Sequence, residues 1–199
     1  MNDSVTSKAE RTRRYIIERV APVFNKKGYA ATSMSDLIAA TGLSKGSIYG
    51  NFKNKDEVAL AAFEFNADFI NDCLKERIRA AQSQQQKLLA YVQTFQAIHR
   101  EVMANGGCPI LNTAVDSSEL NFLLQKAVQY RIGGWQRAII AIVEAGIQAG
   151  EFSPDVEARQ VAQVMICLIE GGYAMSKATG DLSFLDSALK QLESMIRSL

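Results

Sequence analysis

Apolar residues recur at spacings of three and four along nearly the whole 199-residue chain, and no run of β-branched alternation interrupts them. That periodicity predicts an all-α protein. Ile16, Val20 and Phe24 share one stripe and place a first helix over Lys8–Lys27, with Gly28 as its stop. Pro22 lies inside it and removes the hydrogen bond to the Glu18 carbonyl, which predicts a bend there. Two short helices follow, Met34–Thr41 and Lys45–Tyr49. Ser33 and Ser44 stand at their N-caps, and Gly42 ends the first. A long helix over Lys55–Ala81 carries two stripes, Val58/Ala62/Phe65/Phe69 and Phe63/Ala67/Ile70/Leu74/Ile78, so it should pack on more than one side.

The polar run Gln82–Gln86 reads as a turn, and a helix over Lys87–Ala104 ends at Asn105-Gly106-Gly107. Pro109 opens a short segment to Ala114 from the first helical position. A long helix over Ser118–Ala149 stops at Gly150. Ser153-Pro154-Asp155 opens another to Ala178, and Gly180-Asp181 separates it from the last. The pattern gives about nine helices with no internal repeat. It divides into a three-helix head over residues 1–55 and a larger helical body over residues 56–199.

Charge supports the division. Residues 1–56 hold ten Lys/Arg against five Asp/Glu, and the remainder holds twelve against sixteen. A basic head on an acidic body points a polyanion towards the head alone. The three cysteines, Cys73, Cys108 and Cys167, have neither disulfide nor zinc spacing. With His99 as the single histidine, neither a metal centre nor a catalytic triad has its parts, so no catalytic residue, cofactor or metal is expected and an enzyme is disfavoured. No stretch of eighteen apolar residues exists and Met1–Lys8 is polar, so a cytoplasmic protein without a membrane partner is expected.

The sharpest signal is the run from Thr32 to Lys55, two short helices joined by a Gly-containing turn. Leu37, Ile38 and Ala40 should face inward, Leu43 should plug the turn, and Ile48 should anchor the second helix. That leaves Ser44, Lys45, Ser47, Tyr49 and Asn51 on a polar face fit to enter a major groove end-first. Phe-x-x-x-Gly-Tyr over Phe24–Tyr29, Gly42-Leu43-Ser44, and the run Lys45-Gly46-Ser47-Ile48-Tyr49-Gly50-Asn51-Phe52-Lys53-Asn54-Lys55 strongly resemble the TetR/AcrR family. By that resemblance the double-stranded DNA contacts are Ser33, Ser35, Ser44, Lys45, Gly46, Ser47, Tyr49, Asn51, Phe52 and Lys55. Gly50 and Asn51 depart from the bulkier Tyr-x-His-Phe form, which leaves the operator sequence open.

The resemblance also implies a homodimer that reads a pseudo-palindrome, with a body that binds a small effector. The last helix carries an apolar stripe through Leu185, Leu189, Leu192 and Ile196. The helix before it offers Val161, Met165 and Leu168, with Gly172 permitting close approach. These residues form either the dimer interface or the internal core. Tyr91, Phe95, His99 and Met103 repeat at four, and with Cys108, Trp135, Met165, Glu170 and Tyr173 they are candidates to line a pocket for a mostly apolar effector. Cys108, just before Pro109, is alternatively an oxidant-sensing thiol at a helix start, or a small buried residue. A DNA-binding protein without any effector is the remaining alternative.

Overall fold

Local capping chemistry sets the first three helices. In the computed structural model, which describes residues 7–116 and 121–199, α1 (Lys8–Lys27) opens on a capping box between Ser7 and Glu10 and closes at Gly28, whose φ of 81° suits only glycine. It runs through Pro22 unbroken, and the neighbouring Ala21 carbonyl accepts from Asn66 Nδ2 at 3.0 Å. Helices α2 (Met34–Thr41) and α3 (Lys45–Tyr49) begin at the predicted Ser33 and Ser44 caps, whose hydroxyls accept the Asp36 and Ser47 N–H groups. Leu37 and Ile48 are buried as expected. Ile38 is instead 36% exposed, because α2 is a two-turn helix with only one face on α1.

Helix α4 (Lys55–Ala80) packs its first turns on α1 and continues into the body against α5 (Gln84–Ala104) and α7 (Phe122–Gln148). Of its two predicted stripes, Phe63, Ala67, Ile70 and Leu74 are buried. The other is buried only at Val58 and Ala62, while Phe65 and Phe69 face outward. Helix α5 starts earlier than expected, because the Ser83 hydroxyl caps the Gln86 N–H and draws Gln84–Gln86 into the helix. Between α5 and α7 lies α6 (Pro109–Asp116). The predicted α7 start at Ser118 falls outside the described residues; Asn121 caps the Leu124 N–H.

Helix α8 (Ala158–Thr179) does not open at Ser153-Pro154-Asp155. That segment is a turn held by a Ser153 N–H bond to the Leu199 carbonyl at 2.9 Å. Phe152, just before it, folds against Gly146, where any Cβ would lie 2.1 Å from the ring. Helix α9 (Ser183–Arg197) lies on α8 and α5. Its stripe of Leu185, Leu189, Leu192 and Ile196 is fully buried within one chain, as is Met165, and Val161 and Gly172 are buried too. These candidates for a dimer interface are therefore core, because a side chain already packed inside its own chain has no surface left to offer a partner. Gly172 lets α9 approach: an added Cβ would sit 3.0 Å from the Leu185 Cα. Leu168 alone of that set stays half-buried.

Candidate nucleic-acid interface and regulatory core

The head presents α3 as its least enclosed helix. Lys45, Gly46, Ser44 and Tyr49 are exposed, Tyr49 at 37%, and the Lys45 ammonium lies 5.9 Å from the Tyr49 ring. Ser47 and Asn51 are half-buried on the same element, with Asn51 Nδ2 donating to the Ser47 carbonyl at 2.9 Å. Ser35 is exposed on α2. Ser33 is also exposed, but its hydroxyl serves the capping box with Asp36, whose carboxyl is held down at about 2 by Lys27 first and by Ser33 second.

Two candidates turn away from this surface. Phe52 is 2% exposed and packs in the core under the Arg13 guanidinium, 4.0 Å from the ring centroid, so it supports the reading helix and cannot touch DNA. Lys55 Nζ donates to the Tyr29 carbonyl at 2.6 Å and sits 4.3 Å over the Tyr29 ring, which occupies the ammonium inside the head. Sequence reasoning missed Arg13. It donates to the Asn51 carbonyl at 2.5 Å and pairs with Glu57 at 2.9 Å, clamping the α3–α4 turn onto α1. Its partners lie 38 and 44 residues away, beyond any local pattern.

At the other end of α1 the head meets the body through amides. Asn25 Nδ2 donates to the Asn105 and Gly107 carbonyls at 2.8 and 2.9 Å. Asn112 Nδ2 of α6 donates to the Asn25 carbonyl and side-chain oxygen and to the Gly106 carbonyl. Asp116, also on α6, accepts from the Tyr29 N–H.

In the body five of the candidates converge. Cys108 Sγ donates to Glu170 Oε1 at 3.1 Å, and Tyr173 lies one turn further along α8. Tyr173 meets Phe95 edge-on at 5.9 Å, and Phe95 meets Trp135 in the same way at 5.8 Å. Burial lifts the Glu170 carboxyl to about 7 against the smaller lowering by Cys108, and it raises the Tyr173 phenol as well. Among the described residues, neither buried Glu170 Oε2 nor the buried Tyr173 hydroxyl has a hydrogen-bond partner. Burial and the neighbouring carboxyl push the Cys108 thiol well up, overriding the helix start of α6, so the thiolate of an oxidant sensor is not held there.

Tyr91 is buried in α5 and, with Trp135 and Ile110, forms the inner wall of a cleft of about 520 Å³ between α4 and α7. Met165 belongs to the core. His99 leaves the stripe: it is half-buried and its Nδ1 lies 2.7 Å from the Gln96 carbonyl of its own helix. Met103 is likewise only half-buried. A strict spacing of four drifts around a helix of 3.6 residues per turn, so Ile98 and Val102 take the inward places after Phe95.

Residues 16–62 match the family described as "Bacterial regulatory proteins, tetR family", and residues 84–192 match "Tetracyclin repressor-like, C-terminal domain". A solved TetR-family transcriptional regulator from Cytophaga hutchinsonii is 40% identical. It superposes with a TM-score of 0.89 over 96% of this chain and 95% of that one. A TetR transcriptional regulator from Chloroflexus aurantiacus J-10-FL is 33% identical, with a TM-score of 0.89 over 95% and 96%. The HTH-type transcriptional repressor DhaR of Mycobacterium sp. (strain GP1) is 22% identical over 177 residues, which is 89% of this chain and 88% of that one.

Proposed function

The chain belongs to the TetR family of transcriptional regulators, and on that premise we propose that it is a repressor. In this reading two copies grip a pseudo-palindromic operator through their heads, residues 1–55, and a small, mostly apolar effector bound in the body, residues 56–199, releases them. The observation that carries the reading is α3, whose Lys45 and Tyr49 are exposed side by side on a basic head. Exposed Lys, Ser and Tyr side chains suit phosphate and base-edge contact. The name of the DhaR relative supports repression. Release follows if the effector favours a conformation whose two heads no longer match the half-site spacing.

For the dimer, the outer face of α8 and α9 replaces the buried stripe. Gln163, Cys167, Gly171 and Met175 run along α8 without a charge, and Phe184 of α9 adds an exposed ring beside them. A charge placed there, Met175→Glu, is expected to yield monomers in sedimentation with little change in melting temperature. The reading itself is tested by selecting genomic fragments with the purified protein and repeating the selection with Tyr49→Ala. A palindromic site enriched by the first and lost by the second is the expected result; no sequence-specific enrichment refutes it.

A further inference from the structure

The polar end of the body's aromatic string holds two buried polar atoms, Glu170 Oε2 and the Tyr173 hydroxyl, that no described residue satisfies. Glu170 is held by α8 against the start of α6. Its single protein partner is a thiol, and no cationic side chain pairs with it among the described residues. A buried carboxyl normally secures a positive partner or several donors. This one leaves Oε2 unmet beside the equally unmet Tyr173 hydroxyl.

From that point the rings of Tyr173, Phe95 and Trp135 follow one another, at interplanar angles of 74° and 70°. In each edge-on contact the edge of one ring covers a face of its neighbour, and a face not so covered can attract a cation. Trp135 reaches the wall of the α4–α7 cleft, so the string leads from the buried carboxyl towards that opening. Of the charged residues lining the cleft, Asp68, Lys75, Arg131 and Arg137, Arg131 is taken up by Glu64 and Asp68 and Lys75 by Asp72. The unpaired acid lies further inside, at Glu170.

We propose that Glu170 and Tyr173 form the polar anchor of the effector site and that the effector is a small lipophilic amine in its cationic form. The ammonium seats on Glu170 Oε2, the apolar part lies along Phe95 and Trp135, and entry is through the α4–α7 cleft. The inference rests on the reading of the protein as an effector-released regulator. An anion would meet the unpaired carboxyl with no compensating positive charge. A neutral donor would gain one hydrogen bond and forgo both the ion pair and the ring faces.

Trp135 is the sole tryptophan of the chain, so its emission reads this site directly. Three probes of one shape decide the question: phenylbutylamine, phenylbutanol and phenylbutanoate, titrated into the full-length protein with excitation at the red edge of indole absorption. The amine is expected to bind at least about tenfold more tightly than the other two. Glu170→Gln, with an unimpaired melting temperature, is expected to bring the amine down to the alcohol. Equal binding of the three, no response to any of them, or an amine preference that survives Glu170→Gln overturns the proposal. Release of a selected operator fragment is measured alongside. If the alcohol or the acid releases it better than the amine, the regulator reading stands and the amine proposal falls. If no operator is selected at all, the underlying reading fails first.

Discussion

Arg13 in the head and Glu170 in the body are both ionisable residues withdrawn from water, Arg13 only in part, and their surroundings differ in one respect. Arg13 is met by the Asn51 carbonyl, the Glu57 carboxylate and the face of Phe52. Glu170 has one weak thiol donor and an oxygen that no described residue meets. A group fully met by its own chain holds structure in place. A group left unmet burdens the fold and is open to something from outside. The contrast separates what positions the reading helix from what could respond to a signal.

The strongest way to break this comparison is through pH. The Glu170 carboxyl sits at about 7 in the folded chain against an ordinary 4.5. The folded state thus holds the proton more tightly than the unfolded one. Its penalty is absent below the ordinary value, grows as pH rises, and is complete above about 7. Glu170→Gln should therefore gain stability over the parent by on the order of 3 kcal/mol at about pH 8 and by little at about pH 4. Chemical denaturation at both pH values checks it, and a pH-independent difference would contradict the assigned burial.

A smaller effect is expected at the paired site. Arg13→Met should destabilise by about 1–2 kcal/mol, the guanidinium being partly solvent-screened, and should weaken operator binding by loosening the α3–α4 turn. Equal stability of the variant and the parent would mean the clamp is ornamental. The smallest and most discriminating test is a matched pair of hydroxyl deletions. Tyr15 donates to the Thr41 carbonyl at 3.0 Å, whereas the Tyr173 hydroxyl has no partner. Tyr15→Phe is expected to cost about 0.5–1 kcal/mol. Tyr173→Phe is expected to cost nothing or to stabilise. In thermal melts Tyr15→Phe should fall below the parent, whereas Tyr173→Phe should match or exceed it.

The head was legible because its signals are local. Ser33, Ser44, Gly28 and Gly42 each act within four residues, and the bounds of α1, α2 and α3 followed from them. The body was less so. The start of α8 has a Glu157 cap with no side-chain bond, so the chain carries no mark there, and Ser153-Pro154 supplied a false one. The stripe through Leu189 announced an amphipathic helix, but periodicity cannot say whether a face is covered by α5 and α8 or by another molecule. Of the candidate site, Cys108, Glu170 and Tyr173 were named individually, and their meeting needed α6 to be laid against α8. Arg13 had no periodic signature, since its role lies in contacts made across the head.

The joint between head and body has a consequence for experiments in electrolyte. Its core is two neutral asparagine amides reading backbone carbonyls, Asn25 on α1 and Asn112 on α6, and its Asp116 carboxylate accepts from the uncharged Tyr29 N–H. Mobile ions screen charges over a distance of about 10 Å at 0.1 M and leave such amide bonds nearly untouched. Raising ionic strength should thus erode attraction to phosphates while the angle of the head on the body stays set. In this protein the slope of DNA affinity against salt counts phosphate contacts, without a second contribution from a loosening joint.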